Sequence, residues 1–163
     1  MTTPYVERFE ALAHAGVRYV VVGGLAVVFH GVPRMTFDLD LALDPDAANM
    51  ANVVTALLAQ GYRPRIPEPL ERLADPVIRR AWRQGRNMVA FNVHHGSRRL
   101  EDVDLLLLEP EEWSVLYEDA ERRSVGAVEI SVVSRRALIA MKRASGRPQD
   151  LADALALESL PNA

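Results

Sequence analysis

A chain of 163 residues with 49% hydrophobic content is long enough to close a single core, which excludes a disordered segment. It contains no cysteine, so disulfides and thiolate metal sites are excluded, and any bound metal must be held by oxygen or imidazole. The N-terminal run carries Glu7 and Glu10 and lacks the basic start and apolar stretch of a signal peptide, and no window approaches the length of a membrane span; the expectation is one soluble, cytoplasmic domain.

The net charge of −3 is unevenly spread. Residues 63–99 hold nine arginines against Glu68, Glu71 and Asp75, a balance of +6 that leaves −9 for the rest of the chain. Lys142 is the only lysine.

In chain order, Thr3 to Ala15 reads as a short helix, with Thr3 as cap, Pro4 at the first helical position and Gly16 as stop. Arg18 to Val22 is β-branched and aromatic, a buried strand that halts at Gly23-Gly24, and Leu25 to His30 resumes as a brief helix closed by Gly31 and Pro33. Thr36 to Leu43 predicts a second strand, with Asp38 and Asp40 on one face and Phe37, Leu39, Leu41 and Leu43 on the other. Asp44 and Pro45 then suit the cap and first turn of a helix reaching about Gln60. Tyr62 to Ile66 is expected at a sheet edge, because Pro64 removes a ladder donor.

Glu68 to Gln84 predicts one or two helices with a restart at Asp75-Pro76. Leu70, Leu73, Ala74, Val77, Ile78 and Ala81 would face inward and Arg72, Arg79 and Arg83 outward. Asn87 to His95 and Arg99 to Leu108 pattern as a hairpin turning at His95-Gly96-Ser97, followed by a helix from Pro110 to about Arg123 and a strand from Val128 to Val133. Ser134 caps a helix that ends near Gly146, and Pro148 starts another that runs to about Ser159. The β-α-β-α alternation indicates an α/β layer fold. No repeat or linker interrupts it, so residues 1–163 form one domain with 134–163 as its C-terminal helical part.

The chemistry-bearing residues centre on the second strand. Asp38 and Asp40 alternate onto one face, roughly 7 Å apart along the backbone. Paired carboxylates repel unless a proton or cation stands between them, and a hard divalent cation suits them. The competing reading is a pair of acids on the exposed face of an edge strand. Glycines such as Gly23 and Gly24 let backbone N–H groups approach a phosphate, although a glycine pair alone also marks a plain tight turn. Asp104 supplies a third carboxylate from a separate apolar strand, with Asp102 on the same face as the alternative. Two metals about 4 Å apart align an attacking hydroxyl, an α-phosphorus and a leaving pyrophosphate, and a third carboxylate binds the second metal or takes the hydroxyl proton.

The string Val22-Gly23-Gly24, thirteen further residues, Asp38-Leu39-Asp40, and later Val103-Asp104-Leu105 resembles the signature of the polymerase-β-type nucleotidyltransferase superfamily. Gly23-Gly24-x-Ala26, His30-Gly31, Arg34-x-Thr36 and the terminal Lys142, Gly146-Arg147 and Asp150 are similar to the small bacterial AbiEii/MenT-type enzymes, over Arg18 to about Leu155. The resemblance implies a mixed β-sheet flanked by helices that binds a nucleoside triphosphate with Mg²⁺ or Mn²⁺. Asp38, Asp40 and Asp104 would be the metal ligands, and Gly23 and Gly24 would lie at the phosphates. Lys142 and Arg147 would neutralise triphosphate charge, with Asp150 orienting one of them, and Arg34 and Thr36 would either steady the loop or touch phosphate; the competing reading of Lys142 and Arg147 is a surface helix with ordinary charges. Gly24 departs from the serine of many superfamily members, removing one hydroxyl donor to phosphate.

The implied reaction moves NMP from an NTP onto a hydroxyl: an RNA or tRNA end reached through the Arg-rich 63–99 region, a protein side chain or a small molecule. The first would make the chain the toxin of a toxin–antitoxin pair, with a cognate antitoxin as partner; a small-molecule acceptor would suit a resistance enzyme. The arginine stripe equally suits a solvated helix face, and Trp82 stands off it, so no stacking platform accompanies it. A non-catalytic module that keeps this fold and acts through a partner is the rival reading. His30, His94 and His95 are assigned no catalytic role.

Overall fold

The computed structural model describes residues 4–161. The cap assigned to Thr3 lies outside them. Helix α1 (Pro4–His14) leads into strand β1 (Tyr19–Val22), whose four residues are all buried, and α2 (Gly23–Phe29) follows without a connecting residue. After an irregular loop come β2 (Leu39–Leu43), α3 (Ala47–Ala59), β3 (Tyr62–Pro64), a short 3-10 turn (Leu70–Ala74) and α4 (Pro76–Arg86). The hairpin β4 (Ala90–His95) and β5 (Asp102–Leu106), then α5 (Pro110–Glu118), the hairpin β6 (Glu121–Val125) and β7 (Val128–Val132), and the helices α6 (Arg135–Ser145) and α7 (Pro148–Glu158) complete the chain. No helix among the described residues is long and apolar enough to cross a membrane.

The seven strands form one mixed sheet in the order β3-β4-β5-β2-β1-β7-β6. β2 runs antiparallel to β1 and parallel to β5, so two strands far apart in sequence meet at the centre. Leu39, Leu41 and Leu43 of β2 and Val103 and Leu105 of β5 point to the buried face and are nearly inaccessible, as are Phe9, Met50, Leu57 and Leu73 from the helical layer. This period-two burial is what holds the register: a one-residue slip of β2 would turn three leucines to the polar side.

Four sequence expectations are corrected. The α3 cap is Asp46, whose carboxylate accepts from the N–H groups of Ala48 and Asn49. Asp44 instead follows the last residue of β2, ion-paired with Arg18 at 2.5 Å and accepting from the Asp46 N–H at 3.0 Å. The helix expected to reach Arg123 stops at Glu118; Glu121–Val125 becomes the charged edge strand β6, joined to β7 by a two-residue turn containing Gly126 at φ +61°. Phe37 does not share the buried face of β2: it is half-exposed in the loop before the strand, which begins only at Leu39.

The fourth correction concerns α4, which is rotated relative to the expected face. Arg79 and Trp82 are buried and Val77 is exposed. Trp82 packs on Phe91 of β4, and the Arg79 guanidinium donates to the carbonyl oxygens of Leu73 and Pro45, which offsets the cost of burying its charge. Six of the other arginines between 63 and 99 are paired with carboxylates: Arg65 with Asp102, Arg72 and Arg86 with Glu68, Arg80 with Glu109, Arg83 with Glu112, and Arg98 with Glu101. The outward basic stripe is therefore largely neutralised.

Candidate active site

Asp40 and Asp104 are directly opposed in register on the adjacent parallel strands β2 and β5, and Asp104 is opposed in turn by Asn92 of β4. Because residues in register on neighbouring strands project to the same side of the sheet, the three polar side chains form one row across its open face. The next residues on that face are Asp38, just before β2, and Asp102, at the start of β5.

The two candidates for third carboxylate are differently engaged. Asp104 accepts a hydrogen bond of 2.6 Å from Asn92 Nδ2 and makes no ion pair among the described residues. Asp102 is clamped by Arg65, with guanidinium-to-carboxylate distances of 2.5, 2.7 and 3.1 Å. Asp102 thus shares its charge with a guanidinium, whereas Asp104 has an amide partner and faces Asp40. Asn92 carries no signal in the sequence that separates it from any polar strand residue. Its Oδ1 is buried with no hydrogen-bond partner in this arrangement.

Burial pushes the Asp40 carboxyl up to about 6; the negative charge of Asp104 adds to the rise, and a hydrogen bond from the Gly24 N–H opposes it. Asp38 is raised for the same reasons, burial first and then the charges of Asp102 and Asp104. Gly23 makes this packing possible. It adopts φ +65°, and a Cβ on it would stand 1.9 Å from a carboxylate oxygen of Asp40. At Gly24 an added Cβ would meet Thr36 Oγ1 at 2.8 Å and the Arg34 guanidinium at 3.3 Å. Glycine, rather than serine, thus leaves room for the loop before β2 to lie across this turn.

That loop, residues 30–38, is tied at three points. Tyr5 donates its hydroxyl to the Thr36 carbonyl at 2.7 Å, the His30 ring contacts the Val133 carbonyl oxygen at 2.8 Å, and Arg34 ion-pairs with Asp153 of α7. Asp153 also contacts Lys142 Nζ at 3.0 Å, and Lys142 contacts Asp150 at 2.7 Å. Arg147 completes the cluster on Asp150 at 2.6 Å. Lys142 is therefore neither an ordinary surface charge nor a free cation: it is 6% exposed between two aspartates. Burial raises the Asp150 carboxyl, but hydrogen bonds from Lys142, Ser145 and Arg147 outweigh it and hold the group well below the usual carboxylate range. Three cations against two carboxylates leave this cluster with one net positive charge, and its Arg34 lies against Gly24. The lysine's field also reaches Asp40, whose carboxyl it lowers. Asp153 was not identified from sequence, although it lies three residues after Asp150 and so shares its helix face.

The donor set fits a hard divalent cation. Two carboxylates face each other across neighbouring strands, and one of them is strongly desolvated. Among the described residues no cluster of three or more His, Cys, Asp or Glu side chains is placed to hold an ion by itself. A cation here would keep coordination positions for water and substrate oxygens, as Mg²⁺ commonly does.

A seven-stranded mixed sheet flanked by helices, with in-register aspartates on adjacent central strands and a glycine pair against them, defines a nucleotidyltransferase fold. Solved structures share it. The lincosamide antibiotic adenylyltransferase LnuA, lincomycin-bound, superposes with a TM-score of 0.62 at 16% identity over 98% of this chain and 99% of that one. The antibiotic-resistance factor ANT(2'')-Ia gives 0.58 at 14% identity, over 96% and 84%. An antigenic nucleotidyltransferase-like protein from Paracoccidioides brasiliensis gives 0.53 at 18%, over 97% and 77%. No protein-family profile matches the chain, and no curated protein matches it significantly. At these identities the likeness is one of fold.

Proposed function

We propose that the protein is a divalent-metal-dependent nucleotidyltransferase that moves NMP from an NTP onto a hydroxyl acceptor and releases pyrophosphate. The observation that carries this reading is the in-register pair Asp40 and Asp104 beside Gly23, with Asp38 next on the same face. Asp38, Asp40 and Asp104 would hold Mg²⁺ or Mn²⁺, which when bound supplies charge neutralisation at the triphosphate.

The chain's own residues do the rest. Gly23 and Gly24 bring the backbone close to the triphosphate, Arg34, Thr36 and Arg147 supply hydrogen-bond donors around it, and Lys142, buried between Asp150 and Asp153, adds positive charge behind them. Asp104, oriented by Asn92, takes the proton of the acceptor hydroxyl as its oxygen bonds to the α-phosphorus. The bond from that phosphorus to the bridging oxygen breaks, and pyrophosphate leaves with the bond's electrons. Asp150 and Asp153 hold Lys142 and Arg34 in position while sharing their charge.

The neutralised arginines between 63 and 99 weigh against an RNA or tRNA acceptor in that region. A toxin role with a cognate antitoxin, and membership of the AbiEii/MenT branch, rest on the motif resemblance. The rival, a partner-binding module without catalysis, does not account for three intact carboxylates on one face. Calorimetry of the protein with Mg²⁺ and each NTP tests the reading: one nucleotide is expected to bind in a Mg²⁺-dependent manner, and binding should be lost in Asp40→Ala. Absence of binding by all four NTPs would sink it.

A further inference from the structure

Beside the carboxylate row lies an open cleft of about 330 Å³ whose walls are the loop before β2 and the turn that leads into β5. Its composition differs from the rest of the polar sheet face. Met35 is 81% exposed, Leu100 64% and Phe37 49%, three large apolar side chains from two segments around one space. Scattered exposed apolar residues need no explanation, but three converging on a cleft that also contains Asp38 mark a surface meant to be covered. Arg34, Asp102 and Arg99 also line it; Arg34 is paired with Asp153 and Asp102 with Arg65. Arg99 differs from both. It is exposed, lines the same cleft and makes no ion pair among the described residues, unlike the arginines around it.

Resting on the reading above, we infer that this cleft seats the acceptor, and that the acceptor is a small hydroxylated amphipath whose apolar body lies on Met35, Phe37 and Leu100 and whose anionic group meets Arg99. The cleft opens toward the carboxylates at Asp38 and Asp102, so an acceptor held there presents a hydroxyl to the reacting end of the row. A volume of about 330 Å³ matches a drug-sized molecule rather than a folded partner. Charge selects further. With Arg34 held by Asp153, Asp102 by Arg65 and Asp38 assigned to the metal, the Arg99 guanidinium is the lining charge left for the acceptor, and it disfavours a polycationic aminosugar. The pairing of the surrounding arginines leaves no continuous basic track for a nucleic-acid backbone.

The experiment measures Mg²⁺-dependent transfer of labelled NMP to four probes: para-nitrophenyl glucuronide, para-nitrophenyl glucoside, kanamycin as a polycation, and an oligoribonucleotide. The glucuronide should be the best acceptor. Arg99→Gln should raise its KM about fivefold and erase its advantage over the glucoside. Phe37→Ser and Leu100→Ser should each raise KM for both glycosides about tenfold, with the NTP KM changed by less than about twofold. All three positions are exposed, so the variants should fold as the parent does, checked by circular dichroism. Preference for kanamycin or the oligoribonucleotide, or a rise in NTP KM with acceptor KM unchanged, would overturn the assignment. NTP binding without transfer to either glycoside would also overturn it. Failure to bind NTP at all would instead remove the nucleotidyltransferase reading, and the inference with it.

Discussion

Replacing Asp40 by asparagine should stabilise the protein in the absence of metal. The carboxylate is desolvated and faces Asp104, so its folded-state pKa is about 6 against an ordinary value of 3.8. The folded state therefore binds a proton more tightly than the unfolded chain, and stability falls as pH rises between those two values. Above pH 6 the loss amounts to about 3 kcal/mol. Asparagine keeps an oxygen to accept from the Gly24 N–H and carries no charge, so the substitution should recover up to that amount at pH 7.5. The gain should fade to nothing below about pH 4, where the wild-type group is protonated in both states. Urea unfolding of both proteins at pH 4 and pH 7.5 with a chelator present measures it. Millimolar Mg²⁺ should then narrow the gap at pH 7.5 by stabilising only the wild type. A variant no more stable than the parent at pH 7.5, or one whose advantage is the same at both pH values, would refute the argument from desolvation and like-charge repulsion.

Four further substitutions probe other parts of the account. Gly23→Ala should destabilise by about 2 kcal/mol or more and abolish nucleotide binding, because the left-handed backbone and the Asp40 carboxylate both reject a Cβ; thermal melting and calorimetry check it. Lys142→Met should cost about 3 to 5 kcal/mol at neutral pH by leaving Asp150 and Asp153 buried with one cation fewer; a loss below 1 kcal/mol in denaturant titration would show the cluster to be incidental. Asp104→Asn should lower NMP transfer at least about 100-fold while Asp102→Asn lowers it less than about tenfold, and the reverse order would exchange their roles.

Much of the frame was legible because hydrophobic periodicity and punctuation agreed. The alternation of Leu39, Leu41 and Leu43 with Asp40, the hairpin that carries Asp104, and Ser134 with Gly146 around α6 each follow from local rules that tertiary contacts did not override. What escaped the sequence depends on long-range partners. The Glu121–Val125 stretch becomes a strand only because β7 offers it a ladder, and Arg79 turns inward only because two carbonyls await it. The same holds at the candidate site. Asp38, Asp40 and Asp104 carry a pattern, whereas Asn92 matters through a cross-strand contact that no spacing announces, and Asp153, though it shares a helix face with Asp150, through a cross-helix contact to Lys142. Phe37 was read as core; its convergence with Met35 and Leu100 exists only once two distant segments meet.

The most direct test is pyrophosphate release measured with an α-labelled NTP and a competent hydroxyl acceptor, in Mg²⁺ and in excess chelator, for the wild type, Asp40→Asn and Asp104→Asn. Release matched one-for-one by labelled NMP on the acceptor, lost with chelator and in both variants, is the result expected of metal-dependent transfer. Undiminished transfer by Asp40→Asn and Asp104→Asn would contradict the assignment of the reaction to this carboxylate row.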